Sequence, residues 1–354
     1  MPKLAMIMAG GTGGHVFPAL ALAEQLVQRG WSIHWLGGNT GIETRAVPAA
    51  GYPMSVLGTQ GLRGKGLMAK VGGVIALLRA IASAIIVMRK QRPAVVVSLG
   101  GYTAGPGGVA AKLLGIPVVL HEQNAVAGLT NKLLARVAVG QAQAFPKTLP
   151  GAHTTGNPVR ADILQLPAPG QRGVSTRTPP RLLVFGGSQG AQALNLALPQ
   201  AIAESGLTLE VLHQAGREQV ADTQARYQAA GVQAQVVEFL DDMAQAYAWA
   251  DLAVGRSGAL TVSELAAAGL PAILVPLPIA VDDHQTQNGR WLERAGAAEI
   301  VPQSQLSEQL PKRLNSWFSQ PDVLLAAAER GHALAIRDAA PRLADLVESH
   351  AHVK

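Results

Sequence analysis

Two stretches of sequence decide the fold: MAGGTGGHVFPALALAEQL at residues 8–26 and VFGGSQGAQALNLALPQAI at residues 184–202. Each begins in an apolar run, passes through a Gly-Gly-Thr/Ser-x-Gly turn and continues with apolar residues at helical spacing. One glycine turn after a strand is ordinary in an α/β protein. Two matching turns predict two Rossmann-like domains, each with a strand, a ligand-binding loop and a helix near its start.

Other apolar runs of strand length continue the pattern in both halves. Their continuous rather than alternating apolarity predicts strands buried on both faces, and hence parallel sheets covered by helices. The runs are Leu4–Met8, Ser32–Leu36, Val95–Leu99, Val118–Leu120, Arg181–Phe185, Leu209–His213, Gln235–Phe239, Leu252–Val254 and Ala272–Val275.

A polar stretch separates the two halves. PAPGQRGVSTRTPP, residues 167–180, is rich in Pro, Gly, Ser and Thr, a composition typical of a linker or an exposed loop. The stretch follows GNPVRADIL, so we expect the domain boundary near residues 157–166.

The composition is that of a globular enzyme. The 354 residues are 48% hydrophobic and 15% charged, and a chain of this length is expected to form two domains. The net charge of +6 is compatible with an anionic membrane or a polyanionic small molecule. Nucleic acid is disfavoured because aromatic residues make up 4% and no Lys/Arg block occurs. The lack of cysteine and of a secretory signal predicts a cytoplasmic protein.

The glycine loops do not match two common nucleotide motifs. The loop from Gly11 reads G-T-G-G-H-V, with Val16 at the third glycine of the dinucleotide fingerprint, and GGSQGA also fails. A P-loop is absent too, since Gly64-Lys65 is followed by Gly66. These mismatches disfavour an oxidoreductase and a nucleotide kinase.

The loops remain good candidates for anion binding. Glycines let backbone N–H groups approach a phosphate, and a following helix directs its positive end towards it. Thr12 and Ser188 each add a hydroxyl, and LGGYTAGPGG at 99–108 forms a third loop of this kind. A diphosphate is therefore a plausible ligand of these loops.

A fourth segment, RSGALTVSELAAAGLP at 256–271, opens a helix that carries Glu264. That carboxylate is either a helix-dipole or capping-box residue, or an acceptor for the hydroxyls of a ribose. The pairs Asp241-Asp242 and Asp282-Asp283 are interpreted as helix caps. No D-x-D motif occurs, and no metal site is predicted.

Several motifs together resemble the MurG family of GT-B glycosyltransferases: GGTGGHVFPALALA, GLRGKG, GGYTAGPGG, HEQNAVAGLTNK, GNPVR, GGSQGA, DDMAQAYAWADL, RSGALTVSELAAAGLP and DDHQTQN. The resemblance covers nearly the whole chain. It implies two Rossmann-like domains whose parallel sheets face a central cleft. The implied domains are residues 1–158 with 337–354, on the acceptor and membrane side, and residues 159–336, which bind the donor.

The resemblance implies an inverting transfer of GlcNAc from UDP-GlcNAc to the C4 hydroxyl of MurNAc in undecaprenyl-pyrophosphoryl-MurNAc-pentapeptide. This step converts lipid I to lipid II in peptidoglycan synthesis, and through it serves cell shape and division. No cofactor is expected. The expected partners are the two substrates, an anionic membrane leaflet and other cell-wall enzymes, at the cytoplasmic side of the bacterial inner membrane. Alternatives are a GT-B enzyme with a soluble acceptor, an epimerase, or a non-catalytic nucleotide-sugar-binding subunit.

The resemblance also implies roles for particular residues. His15 is the candidate general base, since imidazole suits proton removal near neutral pH, or else a residue that positions the sugar, and Glu122 and His121 are the rival bases. Tyr102 and His121 are placed on the acceptor side. Gln285 and Asn288 are preferred over His284 as donor ligands. The substrate-binding set is Thr12, Gly13, Gly14, Asn124, Arg160, Ser188, Leu240, Ala259, Leu260, Thr261, Val262, Ser263, Glu264, Gln285 and Asn288.

The most apolar stretch is VGGVIALLRAIASAIIVMRK, residues 71–90. Arg79 at its middle disfavours a membrane span, which leaves a packed helix or a surface patch that docks on an anionic leaflet. A lipid-linked acceptor favours the patch and peripheral attachment. The basic residues around it are Arg63, Lys65, Lys70, Arg79, Arg89, Lys90 and Arg92.

Overall fold

The computed structural model describes residues 3–58, 67–187 and 190–352, without the side chains of 67–71 and 281. The chain divides into two compact units. Unit 1 comprises Met1–Arg160 and Arg337–Lys354, and unit 2 comprises Ala161–Ile336.

Unit 1 is built around a parallel sheet of the order β3-β2-β1-β4-β5-β6-β7. In the described part of residues 1–160 the strands are β1 Leu4–Met8, β2 Ser32–Gly37, β3 Met54–Val56, β4 Val95–Ser98, β5 Val118–Glu122, β6 Gly140–Gln143 and β7 His153–Thr154. The helices of this part are α1 Gly13–Gln28, α2 Glu43–Ala49, α3 Leu67–Gln91, α4 Ala104–Leu113 and α5 Leu129–Leu134.

The first strand shows why this sheet is covered on both faces. Successive side chains of a strand point to opposite faces. Ala5 and Ile7 of β1 belong to one buried cluster with residues of α1, whereas Met6 and Met8 belong to another with residues of α3 and α4. The continuous apolar run Leu4–Met8 is therefore required by burial on both sides, as predicted.

Unit 2 has a second parallel sheet, of order β10-β9-β8-β11-β12-β13. Its described strands are β8 Arg181–Phe185, β9 Glu210–Gln214, β10 Gln235–Val237, β11 Leu252–Gly255, β12 Ala272–Leu274 and β13 Ala298–Ile300. Its helices are α6 Ala161–Leu164, α7 Gln192–Ser205, α8 Val220–Ala229, α9 Met243–Trp249, α10 Ala259–Ala268, α11 His284–Arg294, α12 Leu306–Phe318 and α13 Pro321–Leu334, and short 3₁₀ helices span Pro169–Arg172, Val281–Asp283 and Gln303–Gln305.

The last helix, α14 (Ala339–His350), belongs to unit 1. Leu343 and Val347 of α14 are buried in the same cluster as residues of β1 and α1. At the edge of this contact, Trp31 donates its indole N–H to Glu348 at 2.9 Å, and Arg29 bridges Glu348 at 2.7 Å. The chain thus returns to unit 1 after completing unit 2.

Four short strands are missing from the sequence prediction: β3, β6, β7 and β13. The sequences of the four are MSV, GQAQ, HT and AEI, and none contains a continuous apolar run. Each lies at or next to the outer end of its sheet, where pairing depends on the neighbouring strand rather than on apolar residues of its own.

The interpretation of residues 167–180 as a linker or exposed loop is wrong for much of this segment. Val174 is buried in the main core of unit 2. The Arg172 guanidinium donates to the carbonyls of Tyr247 at 2.9 Å and Gly269 at 3.1 Å, and also bonds that of Ala268. Burial lowers the pKa of Arg172 to about 10, so the group stays charged at neutral pH. The segment is therefore ordered, and its Arg172 side chain binds the carboxyl ends of α9 and α10.

Candidate functional site

The strand order of each sheet reverses at one point, and this point is the candidate position for a ligand. In open parallel sheets, ligands bind at the carboxyl ends of the strands at this switch point. In unit 1 the reversal lies between β1 and β4, which precede the glycine loops at Gly10–Gly14 and Gly100–Gly101. In unit 2 it lies between β8 and β11, which precede residues 186–190 and the start of α10. The matched stretches of sequence therefore mark equivalent places in the two sheets.

The two glycine loops of unit 1 pack directly against each other. Gly101 has φ +89°, and a Cβ there would collide with the carbonyl oxygen of Gly10. Gly100 has φ +100°, and a Cβ on it would collide with the His15 ring. Glycine at both positions therefore allows the second loop to pack closely against the backbone of the first loop and the His15 ring.

A cavity of about 640 Å³ opens at this switch point. His15, Glu122 and Asn124 line its polar part. Apolar side chains of α3 and the start of α5 line another part, and Tyr102, which is 62% exposed, also borders the cavity. The remaining lining residues include Gly10, Gly11, Thr12, Ala76, Leu77, Gly100, Gly101, Pro106, Leu129 and Asn131. The sequence predictions Thr12, His15, Tyr102, Glu122 and Asn124 are thus brought together around one cavity.

His15 lies in the first turn of α1. Its Nδ1 is 3.2 Å from the hydroxyl oxygen of Thr12, the N-cap residue of that helix. The ring lies against the backbone of Gly100 and lines the cavity. Gly13 and Gly14 form the start of the same helix, so the histidine is held on rigid secondary structure.

A carboxylate that the sequence analysis missed organises the first glycine loop. Glu43 is 1% exposed, and it accepts hydrogen bonds from the amides of Gly11 at 2.9 Å and Gly38 at 3.2 Å. The Gly11 amide, which the sequence offered to a phosphate, is therefore bonded to an internal anion. The available signal was the single acidic residue in GIETRAV, just after the second strand, but its return to the loop is a tertiary contact.

Glu122 holds the segment that follows β5. One carboxylate oxygen accepts from the backbone N–H of Asn124 at 2.9 Å and from its side chain at 3.3 Å. The other oxygen accepts from Gly128 N at 3.2 Å and from Asn131 Nδ2 at 2.7 Å. Four donors on a side chain that is 2% exposed make Glu122 the organising centre of this loop.

His121 is fully buried and is absent from the cavity lining. Its Nε2 donates to Gly156 O at 2.9 Å, and its Nδ1 accepts from the Gln123 side chain at 3.1 Å. Burial lowers its pKa to about 4, so the ring is neutral at physiological pH. This environment indicates a structural role for His121, and it does not support His121 as the rival base.

Arg160, another predicted ligand, lies at the end of the first segment of unit 1. Its guanidinium carbon is 5.5 Å from the centre of the Phe17 ring, a cation–π distance. Phe17 belongs to α1, so Arg160 is placed near the helix that carries His15.

In unit 2 the helix predicted to open after Ser257-Gly258 is α10, and its start stays the predicted position of an anion. Gly258 is its N-cap, and the first amides of a helix lack intrahelical acceptors. Of the predicted residues here, Thr261 and Ser263 are partly exposed, whereas Ala259, Leu260 and Val262 are buried. Ser263 donates its hydroxyl to Ala259 O at 3.0 Å.

Glu264 lies in the second turn of α10 and is 4% exposed. Its position and burial are inconsistent with a first-turn dipole or capping-box residue, one of the two interpretations from sequence. The hydroxyl of Tyr247, on α9, donates to Glu264 Oε2 at 3.0 Å. The carboxylate is therefore held between two helices beside the switch point.

The other predicted donor ligands occupy different environments. Gln285 Oε1 accepts from Leu277 N at 2.9 Å, and Asn288, fully buried, donates to Ser257 O at 3.2 Å just before α10. Leu240 is partly exposed in the loop before α9. Ser188 lies outside the described residues.

The two predicted acidic caps differ. Asp242 is the N-cap of α9 and accepts from Gln245 N at 2.8 Å, as expected. Asp283 occupies the N-cap position of α11 but accepts from the Thr286 hydroxyl at 2.6 Å, without a cap bond to the described helix backbone. The φ of Asp283 is +52°, in the left-handed region.

Comparison with known proteins gives the class first. Residues 5–142 match the Glycosyltransferase family 28 N-terminal domain, and residues 181–343 match the Glycosyltransferase family 28 C-terminal domain. Together with the two parallel sheets and their switch-point loops, these matches define a two-domain α/β glycosyltransferase.

Full-length relatives narrow the assignment. A Yersinia enterocolitica protein named UDP-N-acetylglucosamine--N-acetylmuramyl-(pentapeptide) pyrophosphoryl-undecaprenol N-acetylglucosamine transferase is 51% identical, over 97% of this chain and 96% of its own. A Pseudomonas putida protein of the same name is 49% identical over 99% and 98%. The crystal structure of Acinetobacter baumannii MurG is 43% identical, covers 98% of this chain and 100% of its own, and has a TM-score of 0.83. The chain belongs to the MurG family.

Proposed function

We propose that this chain transfers N-acetylglucosamine from UDP-GlcNAc to the C4 hydroxyl of lipid-linked MurNAc-pentapeptide, with inversion at the anomeric carbon. One observation carries the proposal. The sequence is about 50% identical, over nearly its full length, to transferases whose names give this donor sugar and this acceptor. The geometry supports it, because a cavity lined by His15 and Glu122 opens at the switch point of unit 1 and the start of α10 lies at the switch point of unit 2.

Unit 2 holds the donor in this proposal. The N-terminal amides of α10 face the diphosphate, and the buried Glu264 accepts from ribose hydroxyls. Cleavage of the bond between the sugar C1 and the diphosphate oxygen leaves negative charge on UDP, which preorganised amides stabilise. Ser188, Leu240, Gln285 and Asn288 stay predicted donor ligands.

Unit 1 holds the acceptor. His15 Nε2 takes the proton of the C4 hydroxyl, whose oxygen attacks C1 of the donor sugar while UDP leaves. In the tautomer with the proton on Nδ1, the Thr12 hydroxyl accepts from Nδ1 and orients the ring. The cavity combines these polar groups with apolar side chains of α3, a mixture suited to a polar head on a lipid chain.

Transfer of radiolabelled GlcNAc to a lipid I analogue tests the function. We expect lipid-linked product from the wild type, and Glu264→Ala is expected to raise the donor KM about 10- to 100-fold, since it removes charge-assisted hydrogen bonds. Glu204→Ala, a carboxylate loss on an exposed face of α7 in the same unit, is the control. Transfer only to soluble sugars, epimerisation of UDP-GlcNAc, or tight donor binding without turnover would each contradict the proposal.

We also propose that α3 attaches the protein to the cytoplasmic face of an anionic membrane. By length and composition, residues Gly72–Gln91 could cross a membrane, and few residues of this stretch are buried. Ala84 and Met88 pack into a core cluster of unit 1, and Ala80 on the same face is also buried, while the outer face carries large apolar residues. Its exposed apolar residues are Val74, Ile75, Leu77, Leu78 and Ile86, with exposed Arg79, Arg89, Lys90 and Arg92 alongside, whereas Arg63, Lys65 and the Lys70 side chain lie outside the described part.

The packed face favours a helix that lies on the surface rather than one that spans it. Leu78→Gln with Ile86→Gln is expected to weaken binding to phosphatidylglycerol vesicles at least tenfold, because each lost side chain contributes about 1–2 kcal/mol when buried in lipid. Sedimentation with vesicles measures the binding. Leu196→Gln, an exposed leucine on α7, is the control. Unchanged vesicle binding by the double variant would contradict attachment through α3.

A further inference from the structure

We propose that Tyr247 is a positioning residue for the donor, which fixes the Glu264 carboxylate and thereby sets the preference of the site for ribose over deoxyribose. The inference rests on the proposed donor site and assigns a role to a tyrosine in DDMAQAYAWADL that no step above has used. The carrying observation is the 3.0 Å hydrogen bond from the Tyr247 hydroxyl to Glu264 Oε2, between two helices.

The tyrosine is itself rigidly held. Its side chain is fully buried and packs edge-on against the Phe185 ring, with a centroid distance of 5.9 Å and an angle of 67°. Its helix is anchored at both ends, by the Asp242 cap and by the Arg172 guanidinium on Tyr247 O. The hydroxyl therefore has a fixed position.

The carboxylate needs such a partner. A glutamate side chain has three rotatable bonds, and ordering it at the moment of binding costs conformational entropy. A buried charged oxygen also requires hydrogen-bond donors. The Tyr247 hydroxyl meets both needs at Oε2, so Glu264 presents a preset acceptor geometry. Arg172 contributes as well, because it bonds the end of α10 at Gly269 O and the end of α9 at Tyr247 O.

Tyr247→Phe removes the hydroxyl and keeps the ring contact. We expect UDP to bind about tenfold more weakly by calorimetry, whereas affinity for 2′-deoxy-UDP changes less than twofold. The ribose preference thus falls about tenfold. In the transfer assay the donor KM rises and kcat stays within twofold. Tyr227→Phe is the matched control, since that hydroxyl is also fully buried in unit 2 and bonds His213 at 2.8 Å.

A double-mutant cycle separates positioning from general damage. If Tyr247 acts through Glu264, Tyr247→Phe has little further effect on UDP affinity in a Glu264→Gln background. Additive losses, or equal losses of UDP and 2′-deoxy-UDP affinity, would overturn the inference, as would a comparable effect of Tyr227→Phe. Thermal unfolding of each variant reports folding. Calorimetry needs no acceptor, so a wild type that binds UDP but makes no lipid-linked product refutes the proposed function alone.

Discussion

His15→Ala is expected to lower kcat for GlcNAc transfer by about 10²- to 10⁴-fold, the usual contribution of a general base. The ring lines the unit 1 cavity and is oriented by Thr12, so its removal takes away the proton acceptor and leaves the donor site of unit 2 in place. UDP affinity is expected to change less than twofold. Steady-state transfer kinetics and UDP calorimetry provide the two measurements.

His153→Ala is the matched control, since His153 is an exposed histidine on β7 of the same unit. The assignment of His15 as the base would be contradicted if the His15→Ala variant has a higher acceptor KM while its kcat stays within about fivefold of the wild-type value. That result would mean that the ring positions the acceptor sugar and another group takes the proton.

Glu122→Ala is expected to destabilise the protein by about 3 kcal/mol and to lower kcat/KM for the acceptor about 100-fold. The change leaves several donors unpaired in a buried place, each costing about 1–3 kcal/mol before relaxation. The loop they organise carries Asn124 and the start of α5, both on the cavity. Urea unfolding and acceptor titrations measure the two effects.

The isosteric change Glu122→Gln distinguishes an organising role from catalysis. Its amide can donate to Asn131 Oδ1, which has no partner among the described residues, after rotation of the Asn131 side chain. We therefore expect the acceptor kcat/KM of the Glu122→Gln variant to be at least tenfold higher than that of Glu122→Ala. Equal loss in both variants would instead indicate that the carboxylate takes part in proton transfer. Glu210→Ala, at an exposed carboxylate on β9, is the control for stability.

The sequence was sufficient for the nine strands that contain apolar runs. Burial on both faces requires continuous apolar runs, so strands such as Leu4–Met8 and Arg181–Phe185 were predicted with their observed bounds. The short outer strands were not predictable in this way, because polar segments such as GQAQ pair only when the neighbouring strand is already in place.

The sequence predicted which loops form the site, but it did not predict the side-chain contacts between them. Glycine turns after strands predicted the loop beside which His15 lies, and the segment RSGALTVSE predicted the helix that carries Glu264, whereas the switch points were visible only in the strand order of the two sheets. Sequence did not show that Glu43 reaches back to Gly11, that Tyr247 bonds Glu264, or that His121 faces inward. Each is a long-range contact of a side chain whose direction depends on the packing of two separate elements.

By itself the sequence determined the α/β class, the two glycine-loop units and the resemblance to one glycosyltransferase family. These properties follow from local features: apolar periodicity, glycine conformations and contiguous motifs. Only the tertiary structure decided which anion meets the Gly11 amide and which carboxylate organises the cavity loop. A buried polar group must find a partner wherever the chain brings one. That partner is set by the meeting of distant segments, which no local pattern records.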